Sequence, residues 1–66
     1  MKIAVQFKGK RRSMEVPEKA KVIDVIGKVK VNPETVIVRR GSEILLEEDF
    51  INKNDNLEFI RIISGG

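Results

Sequence analysis

Leu57-Glu58-Phe59-Ile60-Arg61-Ile62-Ile63-Ser64-Gly65-Gly66 is the stretch from which the fold of this 66-residue chain is read. Its apolar residues alternate through a strand, then give way to one serine and two glycines. A frayed end would look like this, because glycine belongs in loops and at termini. Yet at an average usage of about 7%, two glycines fall together at a given place in only roughly 0.5% of chains. The chemical reading makes the α-carboxylate of Gly66 the reacting group. Gly65 and Gly66 then form a stem without Cβ atoms, slim enough to thread another protein's active site, and Ser64 alone separates that stem from the strand. An activating enzyme would use ATP to turn the carboxylate into an acyl-adenylate and pass the acyl group to sulfur or to an amine. Residues 1–63 are expected to form the domain and residues 64–66 a flexible tail.

Working back from that strand, the Asn52-Lys53-Asn54-Asp55-Asn56 run is a turn of residues that bond their own backbone. Glu47-Glu48-Asp49 before it is an irregular acidic segment, anchored by Phe50 and Ile51. Consecutive carboxylates cannot converge on one ion from a helix or a strand, so no metal site is expected there. Glu43 to Leu46 reads as a short strand and Thr35 to Arg40 as a longer one, with the turn at Gly41-Ser42 between them. In the longer strand Val36 and Val38 should face inward, Ile37 and Arg39 outward.

Val22, Val25, Ile26 and Val29 fall at i, i+3, i+4 and i+7, the apolar stripe of a helix lying on a sheet. The helix spans about Val22 to Lys30. Its own propensity is poor: Lys21 stands where a Ser, Thr or Asp would cap it, Gly27 costs about 1 kcal/mol against alanine, and β-branched residues crowd it. Packing must hold it, and Gly27 is either a point of close approach to the strands or a tolerated glycine. Asn32-Pro33 is expected to end the helix, because a residue before proline avoids the helical region.

At the N-terminus Ile3, Val5 and Phe7 alternate with Lys2, Ala4 and Gln6, a half-buried strand. Gly9, Lys10 and Arg11 make a turn, and Arg12 to Val16 return with Met14 and Val16 inward, stopped by Pro17. The run Lys8-Gly9-Lys10-Arg11-Arg12 is the densest positive stretch. As an RNA-binding loop it would hold phosphates by charge alone, since the nearby Phe7 points to the core. A solvated hairpin tip is the preferred reading.

The order is therefore strand, strand, helix, strand, short strand, strand: an α+β domain with a mixed sheet of four to five strands and one helix packed on one face. Leu57 and Phe59 should face the helix. Glu58, Ile60 and Ile62 then lie on the open face, where Ile60 and Ile62, continued by Ile37 and leading to Ser64, suggest a protein-docking patch.

Composition narrows the function classes. A chain this short buries only about 60% of its unfolded surface and has no room for a deep substrate pocket. It has neither cysteine nor histidine, which removes disulfides, thiolate metal sites, an internal thiol nucleophile and the commonest general base. It is not expected to be an enzyme or to bind a metal or cofactor itself. No unbroken apolar run exceeds three residues, so neither a membrane span nor a signal-peptide core is predicted, and a cytoplasmic monomer is expected. Net charge is +3, split between +6 on residues 1–30, where nine Lys or Arg meet three acids, and −3 on residues 31–66, where four meet seven.

This strand order, closing on Ile62-Ile63-Ser64-Gly65-Gly66, with the turn Asn54-Asp55-Asn56 and the entry Asn32-Pro33-Glu34-Thr35-Val36-Ile37-Val38, resembles the β-grasp fold of ubiquitin-like proteins. It is most similar to the compact sulfur carriers: the thiamine-biosynthesis carrier, the small subunit of molybdopterin synthase and the small archaeal modifier proteins. The turn Arg40-Gly41-Ser42 and the helix start at Lys21 depart from the usual residues of that group. The resemblance implies that Gly66 is adenylylated by an E1-like enzyme and becomes a thiocarboxylate, whose sulfur goes to a small-molecule precursor or to tRNA. It implies sulfur-donor and sulfur-acceptor enzymes as partners, and in the modifier group lysines of target proteins joined through an isopeptide bond. ATP would be consumed by the activating partner. Because Gly66 ends the sequence, no processing step is expected.

Overall fold

The computed structural model describes residues 1–62; the expectations for Ile63, Ser64, Gly65 and Gly66 lie outside the described residues. The elements are β1 (Lys2–Phe7), β2 (Lys10–Glu15), α1 (Val22–Val29), β3 (Val36–Arg40), β4 (Glu43–Leu45) and β5 (Asn56–Arg61). They form one five-stranded mixed sheet in the order β2-β1-β5-β3-β4. The central β1–β5 pair is parallel and the other three pairs are antiparallel. This is the α+β β-grasp architecture expected from the strand order.

Strand alternation survives intact. Ile3 and Val5 of β1, Val36 and Val38 of β3, and Leu57 and Phe59 of β5 are buried on the helix side, together with Val22, Val25 and Ile26 of α1. Leu57 and Val25 are completely buried; removing such side chains from water contributes about 1.5–3 kcal/mol each. Phe7 is only half-buried, its ring meeting that of Phe59 edge-on with centroids 6.1 Å apart.

The β1–β2 hairpin is tighter than the expected turn over Gly9, Lys10 and Arg11. Lys8 (φ 52°) and Gly9 (φ 75°) alone form the loop, and Lys10 already pairs with Phe7. A two-residue hairpin loop whose twist matches its strands needs positive φ at both positions, which Gly9 adopts freely and Lys8 at some cost. Lys10 to Arg12 therefore belong to a strand, exposed to solvent as expected, and the tip itself is Lys8-Gly9.

The weak helix is held at its start by a distant segment. Residues 47–49 lay their carbonyls across its first turn: the Asp49 carbonyl accepts from the Val22 N–H at 2.9 Å and the Glu47 carbonyl from the Ile23 N–H at 3.0 Å. These are amide groups that a helix cannot satisfy internally. The Asp24 carboxylate adds the return half of a capping box by accepting from the Lys21 N–H at 2.9 Å. The acidic segment is in turn folded on itself, the Asp49 side chain accepting from the Leu46 N–H at 2.7 Å. Of its two expected anchors only Ile51 is buried. Phe50 is 56% exposed, because the antiparallel bridge of its backbone to Lys21 turns its ring to the surface, under the Lys21 ammonium.

The helix ends where its expected span put it, but Lys30 and not Asn32-Pro33 closes it. Lys30 takes the left-handed conformation (φ 65°) and donates its N–H to the Ile26 carbonyl at 3.0 Å, closing α1 after Val29. Asn32-Pro33 instead opens a 3-10 turn, Pro33–Thr35, whose first amide is taken by the Asn32 side chain at 3.0 Å. Gly27 faces solvent: a Cβ there would meet nothing within 4 Å, so it serves no close approach.

Arg40 at the end of β3 ties down the loop leading to β5. Its guanidinium donates to Asp55 Oδ2 at 2.7 and 3.1 Å and to the Phe50 carbonyl at 3.1 Å, and Asp55 Oδ2 also accepts from the Asn52 N–H at 2.7 Å.

Candidate functional site

The expected docking residues gather on the sheet face opposite the helix, and register decides it. Antiparallel pairing of β3 with β5 sets Ile37 directly against Ile60. Their side chains, both half-buried, adjoin across the strands as opposed residues on one face do. Ile62 lies two residues further along the same face, 43% exposed, and its N–H donates to the Thr35 carbonyl at 2.7 Å. Three isoleucines thus line the open face on the run of β5 toward residues 63–66. Ser64, Gly65 and Gly66, the remainder of the expected site, lie outside the described residues.

One row back, Arg39 and Glu58 face each other in register and form an ion pair. Both are about two-fifths exposed, so solvent screening keeps the pair's worth to the 0–1 kcal/mol range. Its structural effect is to fence the apolar patch on its inner side with a neutralised polar row. Beyond Arg39, on the edge strand, stands Ile44, in register with it and 54% exposed. Sequence reasoning did not assign Ile44 to this face. The signal was available in the alternation Glu43-Ile44-Leu45, whose Leu45 is buried.

Nothing in the described residues resembles an active centre. No three His, Cys, Asp or Glu side chains converge as metal ligands among them. The cavities are shallow; the one beneath β3, β4 and α1 is about 210 Å³, lined by Val22, Ile26, Val36 and Leu46 among others. That is below the range of pockets that enclose small molecules, about 300–1,000 Å³, and a larger concavity of about 440 Å³ around Leu46, Glu47 and Glu48 lies open to solvent. No helix of the described residues is long and apolar enough to cross a membrane. What the described residues present here is a row of partly exposed isoleucines on the open sheet face, on the strand that runs toward residues 63–66.

Comparison with known proteins bears on the chain as a whole. No protein-family model matches the chain. It is, however, 39% identical over 56 residues to the sulfur carrier protein TtuB of Thermus thermophilus, an alignment spanning 85% of this chain and 86% of that protein.

Proposed function

As the chain belongs to the β-grasp sulfur carriers, we propose that its working group is the Gly66 α-carboxylate, activated and loaded with sulfur by partner enzymes. What supports the reading most is the likeness to a sulfur carrier over nearly the full length of both chains. The sequence of β5, followed by residues 63–66 with two glycines, agrees with it.

The chemistry divides between this chain and its partners. In an E1-like enzyme the Gly66 carboxylate oxygen attacks the α-phosphorus of ATP, giving an acyl-adenylate and releasing pyrophosphate. A persulfide sulfur on a partner then attacks the acyl carbon and displaces AMP. A second partner thiol cleaves the S–S bond, leaving the thiocarboxylate on Gly66 and a disulfide behind. Both thiols must come from partners, because this chain has no cysteine. The chain contributes the acyl group, a stem of Gly65 and Gly66 that clears narrow walls, and the face of Ile37, Ile60 and Ile62 to hold the enzyme while the tail is threaded. The sulfur then passes to a tRNA base or a small-molecule precursor. Transfer of the same acyl group to a lysine amine would make the chain a protein modifier, and a branched peptide carrying Gly66 is its signature.

The test combines exchange and mass. With an E1-like enzyme and ATP, the full chain is expected to support pyrophosphate exchange. After addition of a sulfur donor, the C-terminal peptide should gain about 16 Da, separated by accurate mass from sulfoxidation of Met1 or Met14. The chain lacking Gly65 and Gly66 should do neither while unfolding at the same temperature. Exchange that persists without the two glycines refutes the proposal.

A further inference from the structure

The hairpin register puts charge where the core would otherwise continue. Arg12 pairs with Val5 and Lys10 with Phe7, so both cations stand on the helix side of β2, the edge strand. With Lys8 they rim a groove of about 190 Å³ whose floor is Val5, Phe7 and Val29 of α1. None of the three is paired with a carboxylate among the described residues. Inward-pointing charge on an edge strand discourages sheet-to-sheet aggregation. That role accounts for the cations on β2 but not for an apolar floor left open between them.

Position matters as much as composition. β1 and β5 run parallel with Phe7 beside Phe59, so the hairpin tip lies at the end of the sheet toward which β5 carries Ile60 and Ile62. The groove and the isoleucine face therefore flank that end from opposite sides of the sheet.

We propose that this groove is a second docking site, taking an acidic protein segment with one apolar side chain. The apolar group enters between Phe7 and Val29, and its flanking carboxylates pair with Lys8, Lys10 and Arg12. That the segment belongs to the enzyme receiving the tail rests on the function proposed above; the groove's preference does not. The volume suits a single side chain and is too small for a typical small-molecule ligand. Charge selects an acidic occupant, and the single ring favours protein over RNA. Phe7 is the one aromatic residue of the groove, so successive bases of a single strand would find no run of rings on which to stack.

Amide-shift mapping on the ¹⁵N-labelled full chain tests this, with a pentapeptide of four glutamates around a central leucine as probe. Shifts are expected at Val5 to Arg12 and at Val29. The glutamine analogue of the peptide should cause none, and the double variant K10E/R12E should weaken binding at least about tenfold. The milder K10Q/R12Q should fall between, guarding against misfolding of the reversed variant. The chain without Gly65 and Gly66 should bind the peptide unchanged, which separates this test from that of the tail chemistry. Shifts confined to the Ile37–Ile60 face, no shifts at all, or an oligouridine that moves the groove amides more strongly than the peptide would each overturn the proposal.

Discussion

Replacing Asp55 by asparagine should cost about 2 kcal/mol of stability. Asp55 is 9% exposed, and one of its oxygens accepts from the Asn52 amide at 2.7 Å and from two Arg40 nitrogens at 2.7 and 3.1 Å. Breaking a buried ion pair by removing one partner costs about 3–5 kcal/mol. Here the discount is real: Arg40 keeps a quarter of its side-chain surface in water, the Phe50 carbonyl at 3.1 Å and Glu43 at 3.5 Å, and the asparagine oxygen can still accept from Asn52. For a domain of this size, about 2 kcal/mol lowers Tm by roughly 8–16 °C. Arg40 is held above its ordinary value, first by its hydrogen bond to Asp55, with the charges of Asp55 and Glu43 adding and burial opposing. A raised folded value means that stabilisation is full below the ordinary arginine range and is lost only as pH climbs through the folded one. The loss in D55N should therefore stay flat from about pH 6 to about pH 9. Urea and thermal unfolding followed by circular dichroism read it, and a cycle with R40M should return a coupling of about 1–2 kcal/mol. A loss in D55N below about 0.5 kcal/mol refutes the idea that this cluster anchors the loop.

Three further outcomes are expected. G27A should raise stability by about 0.5–1 kcal/mol, since the new methyl meets nothing in a regular helix; no change in Tm would mean the site is not plain helix surface. K30G should gain a similar amount by relieving a lysine of its left-handed backbone, and a loss in thermal unfolding would contradict that cap. I60E should raise KM for the activating enzyme at least about tenfold with kcat preserved and stability changed by less than about 1 kcal/mol. Equal kinetics for wild type and I60E would dismiss the open face as a docking surface.

The sheet was legible because alternation is a local signal: Val36 and Val38, and Leu57 and Phe59, point where their spacing says, and Val22, Val25 and Ile26 do so at helical spacing. The isoleucine row on the open face was legible for the same reason, since Ile37 and Ile60 alternate with those inward residues. What escaped depends on groups far apart in sequence or on unusual backbone. The amides of Val22 and Ile23 are satisfied by carbonyls of Asp49 and Glu47, which no inspection of residues 20–30 reveals. Lys8 and Lys30 take positive φ, a conformation ordinarily signalled by glycine or asparagine, so the tightness of the hairpin and the way the helix is closed were not read from their residues. The tighter hairpin in turn places Lys10 within β2, on the same side as Arg12, and that register is what creates the cationic groove. Phe50 misled because an aromatic ring is usually taken inward, whereas here its backbone bridge to Lys21 faces it out.

The placement of β5 between β1 and β3 also has a mechanical meaning. A carrier held by its tail is pulled along the axis of its last strand. In this sheet that strand is hydrogen-bonded on both sides, through Asn56 to Phe59 with β1 and through Leu57 to Arg61 with β3. Ladder bonds lie across the strand, so tension along β5 loads the two ladders together in shear instead of peeling one bond at a time. The strand that runs toward the C-terminal residues is thus the one best fixed to resist being drawn out, and forced unfolding from this end should be slow relative to a pull that peels the three-residue edge strand β4.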